Sequence, residues 1–433
     1  MATEWAADAN EALTLSLVRS AKDKEALSRE ENYEGFNPTF TYPIYGEEEK
    51  IYGYKDLLID LRFASGSLAQ YLSVSYSEKL PSTSTVDDVE AILQNFIPEG
   101  YDTDETTFLQ RVEEDANTFR PPGQLIHSYT RAAPNSFSKG KRKRDGGTSQ
   151  ALDPGSNDVI EYEVYHATWD SPGFREYHRR MQLFILLYIE GGSYINADED
   201  TWEFVLLYEK RKRKDDSHAV AYHFIGYSSL YPFYYFPENV RMRLSQFVIL
   251  TPYQRHAHGS ELYKAIYNYI LKSPNIAELT VEDPAEAFED LRDKNDLQLL
   301  LSDERFLEEG VGKKPIDGKK RKVVKESSTG DGDNDNDGKL GPPVDRAWRE
   351  KWRRDLKIAA RQFHRLIEML ILLKLEPTDR AKLKAYRLQV KERLYRFNFE
   401  VLAQMEQDER YEKLEETFQS VIEDYHRILQ LVS

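Results

Sequence analysis

The sequence contains no cysteine among its 433 residues. This absence excludes structural disulfides, thiolate metal sites and a cysteine acyl-enzyme intermediate. Long apolar runs are also lacking, because the longest, Leu183 to Ile189, is far shorter than the roughly 20 residues of a membrane-spanning helix. No Gly-x-Ser-x-Gly elbow occurs, which argues against a serine hydrolase that uses His256, His258 and Ser260. These absences predict a soluble protein whose chemistry needs no thiol.

Basic residues are outnumbered, with 59 Lys and Arg against 75 Asp and Glu, and the formal net charge is -16. This balance disfavours direct DNA binding and favours a cationic peptide as partner. Two basic clusters, Lys139 to Arg144 and Lys313 to Lys325, are candidate nuclear import signals, whereas Lys210 to Lys214 reads as a charged hairpin tip. Asp333 to Gly338 matches half of a calcium loop, but Val344 stands where a bidentate Glu is needed, so no metal site is predicted.

The patterning predicts an α+β protein with an N-terminal α/β module, a central mixed sheet with flanking helices, and a C-terminal helical bundle. The predicted parts are residues 1–150, 157–305 and 345–433, with a polar, disordered linker at 310–344. The spacing of Leu13, Leu17 and Val18 indicates a helix near the N-terminus, which could dock a partner.

The segment from Arg241 to Ser260 combines a strand, a turn and the start of a helix. Its apolar residues Phe247 to Leu250 lead into Thr251 and Pro252, and a helical pattern begins near Gly259. The first turn of a helix has backbone N–H groups without intrahelical partners and the positive end of the helix dipole. The segment is therefore a candidate phosphate site.

A second strand, Glu278 to Val281, leads directly into Glu282 and Asp283. Ligand sites in α/β layers gather at one end of the sheet, so we expect these carboxylates at the same end as the phosphate site. Because successive side chains of a strand point to opposite faces, only one of the two should face a substrate.

Gln254 to Gly259 is similar to the Gln/Arg-x-x-Gly-x-Gly/Ala loop that binds acetyl-coenzyme A in the GCN5-related N-acetyltransferase superfamily. Ala257 replaces its first glycine, so close approach to a pyrophosphate should require an ordinary φ at Ala257. With this loop, the chain resembles the type B histone acetyltransferases over roughly residues 30 to 300. The other matching segments are Asn37 to Pro43, Gly46 to Glu49, Tyr52 to Lys55, Ser245 to Gln254, and Thr280 to Pro284.

The resemblance implies a lysine acetyltransferase that uses acetyl-coenzyme A as co-substrate. It assigns the general base to Glu282, with Asp283 and Glu190 as supporting acids. It places the pantetheine arm along Phe247, Val248 and Ile249. It assigns binding of the pyrophosphate to Gln254, Arg255, His256, Ala257, His258, Gly259 and Ser260. Lys294 matches a family position that is basic and would contact the phosphate end of the coenzyme. Ala285 aligns with a family position that is polar, so a side-chain hydrogen bond to the coenzyme is lost there.

The same resemblance implies binding of the N-terminal tail of newly made, free histone four. The acidic patch of Glu47, Glu48 and Glu49 would meet the cationic side chains of the tail. Aromatic residues from Tyr227 to Tyr235, among them Tyr231 and Tyr234, would flank the aliphatic stem of the target lysine. A WD-repeat histone chaperone is the implied protein partner, and location in both cytoplasm and nucleus is expected.

Two alternatives remain open at this point. The first is a noncatalytic acidic chaperone or adaptor that retains the coenzyme loop. The second is an acetyltransferase for a small amine or a protein N-terminus, which would share the same loop. The acidic patch favours a histone tail over a small amine, and the joint presence of the loop and Glu282 favours an enzyme.

Overall fold

A computed structural model describes residues 3–81, 84–133, 159–213, 219–312 and 338–432. The chain divides into two compact units. The first unit contains residues 1–233 and 242–269, and the second contains residues 234–241 and 270–433. Among the helices of the described ranges, none is long and apolar enough to cross a membrane.

The first unit is built mainly of strands, with short helices between them. Its strands are β1 (Ala6–Asp8), β2 (Leu13–Val18), β3 (Lys50–Tyr52), β4 (Tyr54–Lys55), β5 (Leu58–Ala64), β6 (Gln70–Ser75), β7 (Glu78–Lys79), β8 (Gln124–Ala132), β9 (Val159–Thr168), β10 (Glu203–Lys212), β11 (Val220–Tyr235) and β12 (Asn239–Ile249). Its helices are α1 (Ala9–Ala12), α2 (Ala21–Glu25), α3 (Tyr42–Tyr45), α4 (Val89–Gln94), α5 (Glu105–Thr118), α6 (Phe174–Met181), α7 (Leu183–Tyr188) and α8 (His258–Lys272). Short ends of β11, β12 and α8 are assigned to the second unit.

The helix predicted around Leu13 to Val18 is wrong, because these residues form strand β2. Strand β2 pairs in parallel with β5, and β5 pairs antiparallel with β6. Leu13, Leu15 and Leu17 recur at every second position and are buried, which is the period of a strand. A buried strand of this kind offers no side-chain face for docking a partner.

The larger sheet of the first unit has the strand order β8-β9-β10-β11-β12. Phe184 of α7 packs against Phe63 of β5 and Phe224 of β11, with ring centroids 4.8 Å and 6.1 Å apart. The smaller sheet therefore shares one core with the larger sheet. The predicted boundary near residue 150 does not separate two cores for this reason.

The basic segment predicted as a charged hairpin tip, Lys210 to Lys214, follows the antiparallel pairing of β10 with β11, which reaches Lys212 and Val220. Lys214 itself lies outside the described residues. The ammonium group of Lys210 lies 2.9 Å from Glu161 and 2.7 Å from Glu163. Arg213 is buried and donates through Nε to Asp23 Oδ1 at 2.9 Å. Since cross-strand and tertiary carboxylates pair with these cations, the described part of the segment is held within the fold.

The second unit is mainly helical. It contains strand β13 (Ile276–Val281) and helices α9 (Glu286–Ser302), α10 (Glu304–Val311), α11 (Arg346–Asp355), α12 (Ala360–Lys374), α13 (Arg380–Phe397), α14 (Phe399–Leu402) and α15 (Gln407–Val432). Buried Glu278 of β13 accepts from Arg241 at 2.7 Å and from Arg353 at 2.8 Å. The predicted C-terminal helices are confirmed, and the overall α+β class is as expected.

Part of the predicted linker is ordered structure. Leu340 is buried, and its N–H donates to the carbonyl of Gly310 at 2.8 Å. Glu309 of α10 accepts from the indole N–H groups of Trp348 and Trp352, at 3.1 Å and 2.8 Å. The prediction of a disordered linker over 310–344 is wrong for this part because the apolar side chains of Leu340 and Val344 are buried in the fold. Residues 313–337, with the predicted basic cluster and most of the calcium-like motif, lie outside the described residues.

Candidate active site

The predicted strand, turn and helix around the candidate phosphate loop are confirmed. Strand β12 ends at Ile249, a 3₁₀ turn covers Thr251–Tyr253, and α8 begins at His258. The turn starts with Thr251 and Pro252, whose ring presets φ for the first residues of a helical turn. Tyr253 is buried and anchors the turn in the first unit. The intervening residues Gln254 to Ala257 are exposed.

The backbone of this loop departs from the expectation for Ala257. Arg255 and Ala257 have φ values of 61° and 56°, so both adopt the left-handed region rather than an ordinary φ. In proteins, a left-handed residue beside a right-handed one turns successive N–H groups towards one side, an arrangement that binds anions. The loop therefore keeps the conformation that the family glycine favours, although it carries a methyl group.

Replacing Ala257 tests this conformation. Left-handed geometry costs an L-residue about 1–2 kcal/mol, and glycine removes that cost but loses about 0.4–1 kcal/mol through unfolded-chain entropy. We expect Ala257→Gly to change the free energy of unfolding by less than about 1 kcal/mol, whereas Ala257→Val should lower it by more, since a β-branched residue rarely adopts this φ. Urea titration of both variants measures the difference. A neutral Val variant beside a destabilised Gly variant would contradict the assigned backbone.

The two loop histidines have different environments. His258 is buried, its Nδ1 lies 2.6 Å from the Tyr129 hydroxyl, and its ring packs 4.7 Å from that of Tyr162. Burial lowers the pKa of His258 to about 3, so the ring is neutral near pH 7. His256 is exposed. The side chain of His258 thus supports the loop from within, and only its backbone faces a ligand.

The strand before the loop is closely constrained. A Cβ on Gly226 of β11 would lie 2.1 Å from the carbonyl oxygen of Val248, so only glycine permits this approach. The side-chain amide of Gln254 donates to the carbonyl of Ile249 at 2.8 Å. A pantetheine contact at that carbonyl would therefore compete with Gln254, a feature that sequence reasoning missed.

A buried ion pair lies beneath the loop. Arg19 donates to both carboxylate oxygens of Glu209, at 3.1 Å and 3.0 Å, and to the Tyr253 hydroxyl at 2.9 Å. Arg19 and Glu209 are 2% and 1% exposed. Burial by itself would raise the pKa of Glu209, but the charges of Arg19 and Arg211 outweigh it and hold that pKa well below its usual range. Sequence reasoning missed this pair, although an acid within the apolar run of β10 was a possible signal.

The predicted catalytic carboxylates occupy different units. Glu282 and Asp283 belong to the second unit, and Glu190 follows α7 in the first; all three are exposed. Strand β13 ends at Val281, so the alternation of a strand does not extend to Glu282 and Asp283. That only one of the two faces a substrate stays a prediction. Asp283 has a φ of 30°. The chain bends there, before Pro284.

Two further predicted coenzyme contacts lie on α9. Ala285 is its N-cap residue and makes no side-chain capping bond. Lys294 is half-buried near the middle of the helix. The structure therefore has the basic residue on the helix after the carboxylates, as the motif order predicts.

The acidic patch is only partly available to a peptide. Glu49 accepts from the N–H groups of Thr41 and Tyr42, at 2.7 Å and 3.1 Å, and from the amide of Asn10 at 2.9 Å. These bonds make Glu49 a support for the loop around α3. Glu47 and Glu48 are exposed, and the Tyr52 hydroxyl donates to Glu48 at 2.8 Å.

The predicted aromatic residues also differ in exposure. Tyr227 is fully buried, so its ring belongs to the core rather than to a surface groove. Tyr231 packs against Trp202 with ring centroids 4.8 Å apart. Tyr234 is 74% exposed. Position along β11 explains the difference, because both faces of the strand are buried up to Leu230 and exposure rises towards its end.

Among the described residues, no group of three or more His, Asp or Glu side chains lies close enough together to hold a metal ion. The first unit offers a helix N-terminus preceded by left-handed Ala257, and exposed carboxylates occur in each unit.

Two known protein families match parts of this sequence. Residues 5–190 match the family described as "Histone acetyl transferase HAT1 N-terminus". Residues 331–376 match the family described as "Fungal HAT1, C-terminal".

Similar proteins extend over almost the whole chain. A histone acetyltransferase type B catalytic subunit of Cryptococcus neoformans var. neoformans serotype D is 51% identical, covering 98% of this chain and 97% of its own. Proteins of the same name from Mycosarcoma maydis and Kluyveromyces lactis are 41% and 32% identical, covering 98% and 99% of this chain and 88% and 93% of their own. The chain therefore belongs to the family of histone acetyltransferase type B catalytic subunits and is an acyltransferase.

Proposed function

We propose that this histone acetyltransferase transfers acetyl from acetyl-coenzyme A to lysines in the N-terminal tail of newly made, free histone four. The observation that carries the proposal is the loop before α8, where left-handed Ala257 meets a helix N-terminus. Such a backbone binds phosphate, and acetyl-coenzyme A carries a diphosphate next to its adenosine. The net charge of -16 supports a cationic acceptor.

The coenzyme binds to backbone groups for most of its length in this proposal. The pantetheine arm follows Phe247, Val248 and Ile249, and Gln254 releases the Ile249 carbonyl when the arm is present. The diphosphate lies over the backbone from Gln254 to Ser260, a stretch that includes the exposed cation Arg255. Lys294 contacts the phosphate end of the coenzyme.

Glu282 is the proposed general base. A lysine with an ordinary pKa of about 10.4 is almost entirely protonated near pH 7, so the amine must lose a proton before it can attack. Glu282 accepts that proton, the amine nitrogen bonds to the thioester carbonyl carbon, and the carbon–sulfur bond breaks. Coenzyme A leaves as a thiolate and takes up the second proton, which the nitrogen loses as the amide forms. Asp283 and Glu190 support the positive charge of the incoming lysine.

The proposed peptide contacts are limited to residues whose side chains are at least partly exposed. Glu47 and Glu48 meet cationic side chains of the tail, while Glu49 holds the loop on which they lie. Tyr231 and Tyr234 flank the lysine stem, whereas Tyr227 is fully buried and takes no part in the contact. A WD-repeat histone chaperone is the proposed partner, with action in both cytoplasm and nucleus and no direct contact with DNA.

Competition among acceptors tests the substrate class. The full-length protein is given labelled acetyl-coenzyme A with free histone four, nucleosomes and spermidine, each alone and then together. We expect label on the free histone tail at a rate at least tenfold above the other acceptors. Preferential labelling of spermidine would support a small-amine enzyme. Tail binding without any transfer would support the adaptor alternative.

A further inference from the structure

The C-terminal helices of the second unit line a cavity that is open to solvent at Arg346 and Arg396 and contains none of the proposed acetyl-transfer residues. Its volume is about 320 Å³, within the range of small-ligand sites. Helices α11, α12 and α13 form its walls. Its charged and polar lining residues are Arg346, Arg349, Arg361, His364, Glu368, Gln389, Glu392, Arg393 and Arg396.

Positive charge is in excess in this cavity. Five arginines and two glutamates line it, in a chain whose net charge is -16. Arg393 donates through Nε to both oxygens of Glu368, at 2.8 Å and 3.0 Å. Arg396 donates to Glu392 at 2.6 Å. The two carboxylates are therefore already engaged by two of the arginines.

Arg349 and Arg361 have no carboxylate within ion-pair distance among the described residues. Among the described residues, the buried Nε atom of Arg349 has no hydrogen-bond acceptor. Arg361 is exposed, and its guanidinium lies 3.7 Å from the centroid of the Phe397 ring. A buried donor without an acceptor is costly, so an anion in the cavity would supply the partner that Arg349 lacks.

The ionisation of the lining groups agrees with this arrangement. Burial and the charge of Arg346 lower the pKa of Arg349, while burial and the charges of Arg365 and Arg393 lower that of Arg361. Burial and nearby Arg349 lower the pKa of His364 to about 4. Crowded cations penalise one another's charged forms, and an anion between them would relieve that penalty.

We propose that this cavity binds a compact anion that carries two or more phosphate groups. Guanidinium groups match phosphate oxygens through paired N–H donors, and several arginines around a small volume favour several negative charges on one ligand. The cavity is too small for a nucleic-acid duplex or a folded partner to enter. The proposal does not depend on the acetyl-transfer function.

Inorganic tripolyphosphate is the probe, titrated calorimetrically into the full-length protein with saturating acetyl-coenzyme A, so that the coenzyme loop is occupied. We expect one saturable site in the wild type. The double variant Arg349→Gln/Arg361→Gln should bind about tenfold more weakly or worse, since each lost charge-assisted bond removes a substantial part of the affinity. Arg354→Gln is the matched control, because Arg354 is exposed on the same helix and does not line the cavity.

Citrate, with similar charge but carboxylate chemistry, distinguishes the ligand class. Weaker binding of citrate than of tripolyphosphate supports the proposal, and equal or tighter binding overturns it. Absence of a saturable site in the wild type, or equal weakening in Arg354→Gln, also overturns it. Thermal unfolding serves as the folding check. The double variant should melt no lower than the wild type without ligand, because it removes two crowded cations, and only the wild type should gain melting temperature from tripolyphosphate.

Discussion

Glu282→Gln is expected to lower kcat for acetylation of a histone-four tail peptide by roughly a hundred- to ten-thousand-fold, the usual contribution of a general base. Glutamine keeps the size of the side chain but cannot accept the lysine proton. Its effect on the dissociation constant of acetyl-coenzyme A should be small, because the proposed role concerns the amine. Steady-state kinetics and calorimetry on the same preparations measure the two quantities.

The pH profile separates a base from a merely structural residue. The rate of the Glu282→Gln variant should rise with pH towards the pKa of lysine, because an increasing fraction of the substrate is already neutral. Glu286→Gln is the matched control, since Glu286 is another exposed glutamate nearby in the sequence, at the start of α9. Comparable kcat values for wild type and Glu282→Gln would remove Glu282 from the role of base.

Glu209→Gln is expected to lower the free energy of unfolding by about 3–5 kcal/mol, because it leaves the buried charge of Arg19 without its bidentate partner. Urea unfolding followed by circular dichroism measures the loss. Arg19→Met/Glu209→Leu should recover part of it, since removing both charges leaves no unpaired ion.

An exposed ion pair provides the comparison for Glu209. Arg179 and Glu176 form a pair on α6, and both side chains are 63% exposed. Glu176→Gln should change stability by less than about 1 kcal/mol, because solvent already screens that pair. Equal effects of Glu176→Gln and Glu209→Gln would contradict the buried assignment of the Arg19–Glu209 pair.

The strand, turn and helix around the candidate phosphate loop were predictable because their signals are local. An apolar run, Thr251-Pro252 and the helical spacing after Gly259 specify a strand, a turn and a helix within twenty residues. The left-handed φ of Ala257 was not predictable, because alanine prefers negative φ and only the surrounding structure can impose the alternative.

Strand β2 shows why short apolar segments are ambiguous. Leu13, Leu17 and Val18 fit a helical face, whereas Leu13, Leu15 and Leu17 fit a strand equally well. Pairing with β5 decides between them, and that partner lies more than forty residues away. The Arg19–Glu209 pair was beyond sequence reasoning for the same reason, since 190 positions separate its members.

The positions of the candidate site residues were only partly accessible. The order of the motifs predicted Glu282, Asp283 and the loop as site residues. The exposure of the predicted residues could not be predicted from residue type alone. Glu49 and Tyr227 have the chemistry of peptide-binding residues, yet the fold uses one for backbone hydrogen bonds and the other for its core.

The hydrogen bond from Leu340 to Gly310 brings together two points of the chain that are thirty positions apart. The N–H of neighbouring Lys339 also donates to the carbonyl of Glu309, at 3.1 Å. The residues that lead into α11 are therefore registered on the last turn of α10 by two backbone bonds that need no particular side chain. Substitution of Lys339 should leave this register unchanged, whereas a proline at position 339 or 340 would remove one of its two donors.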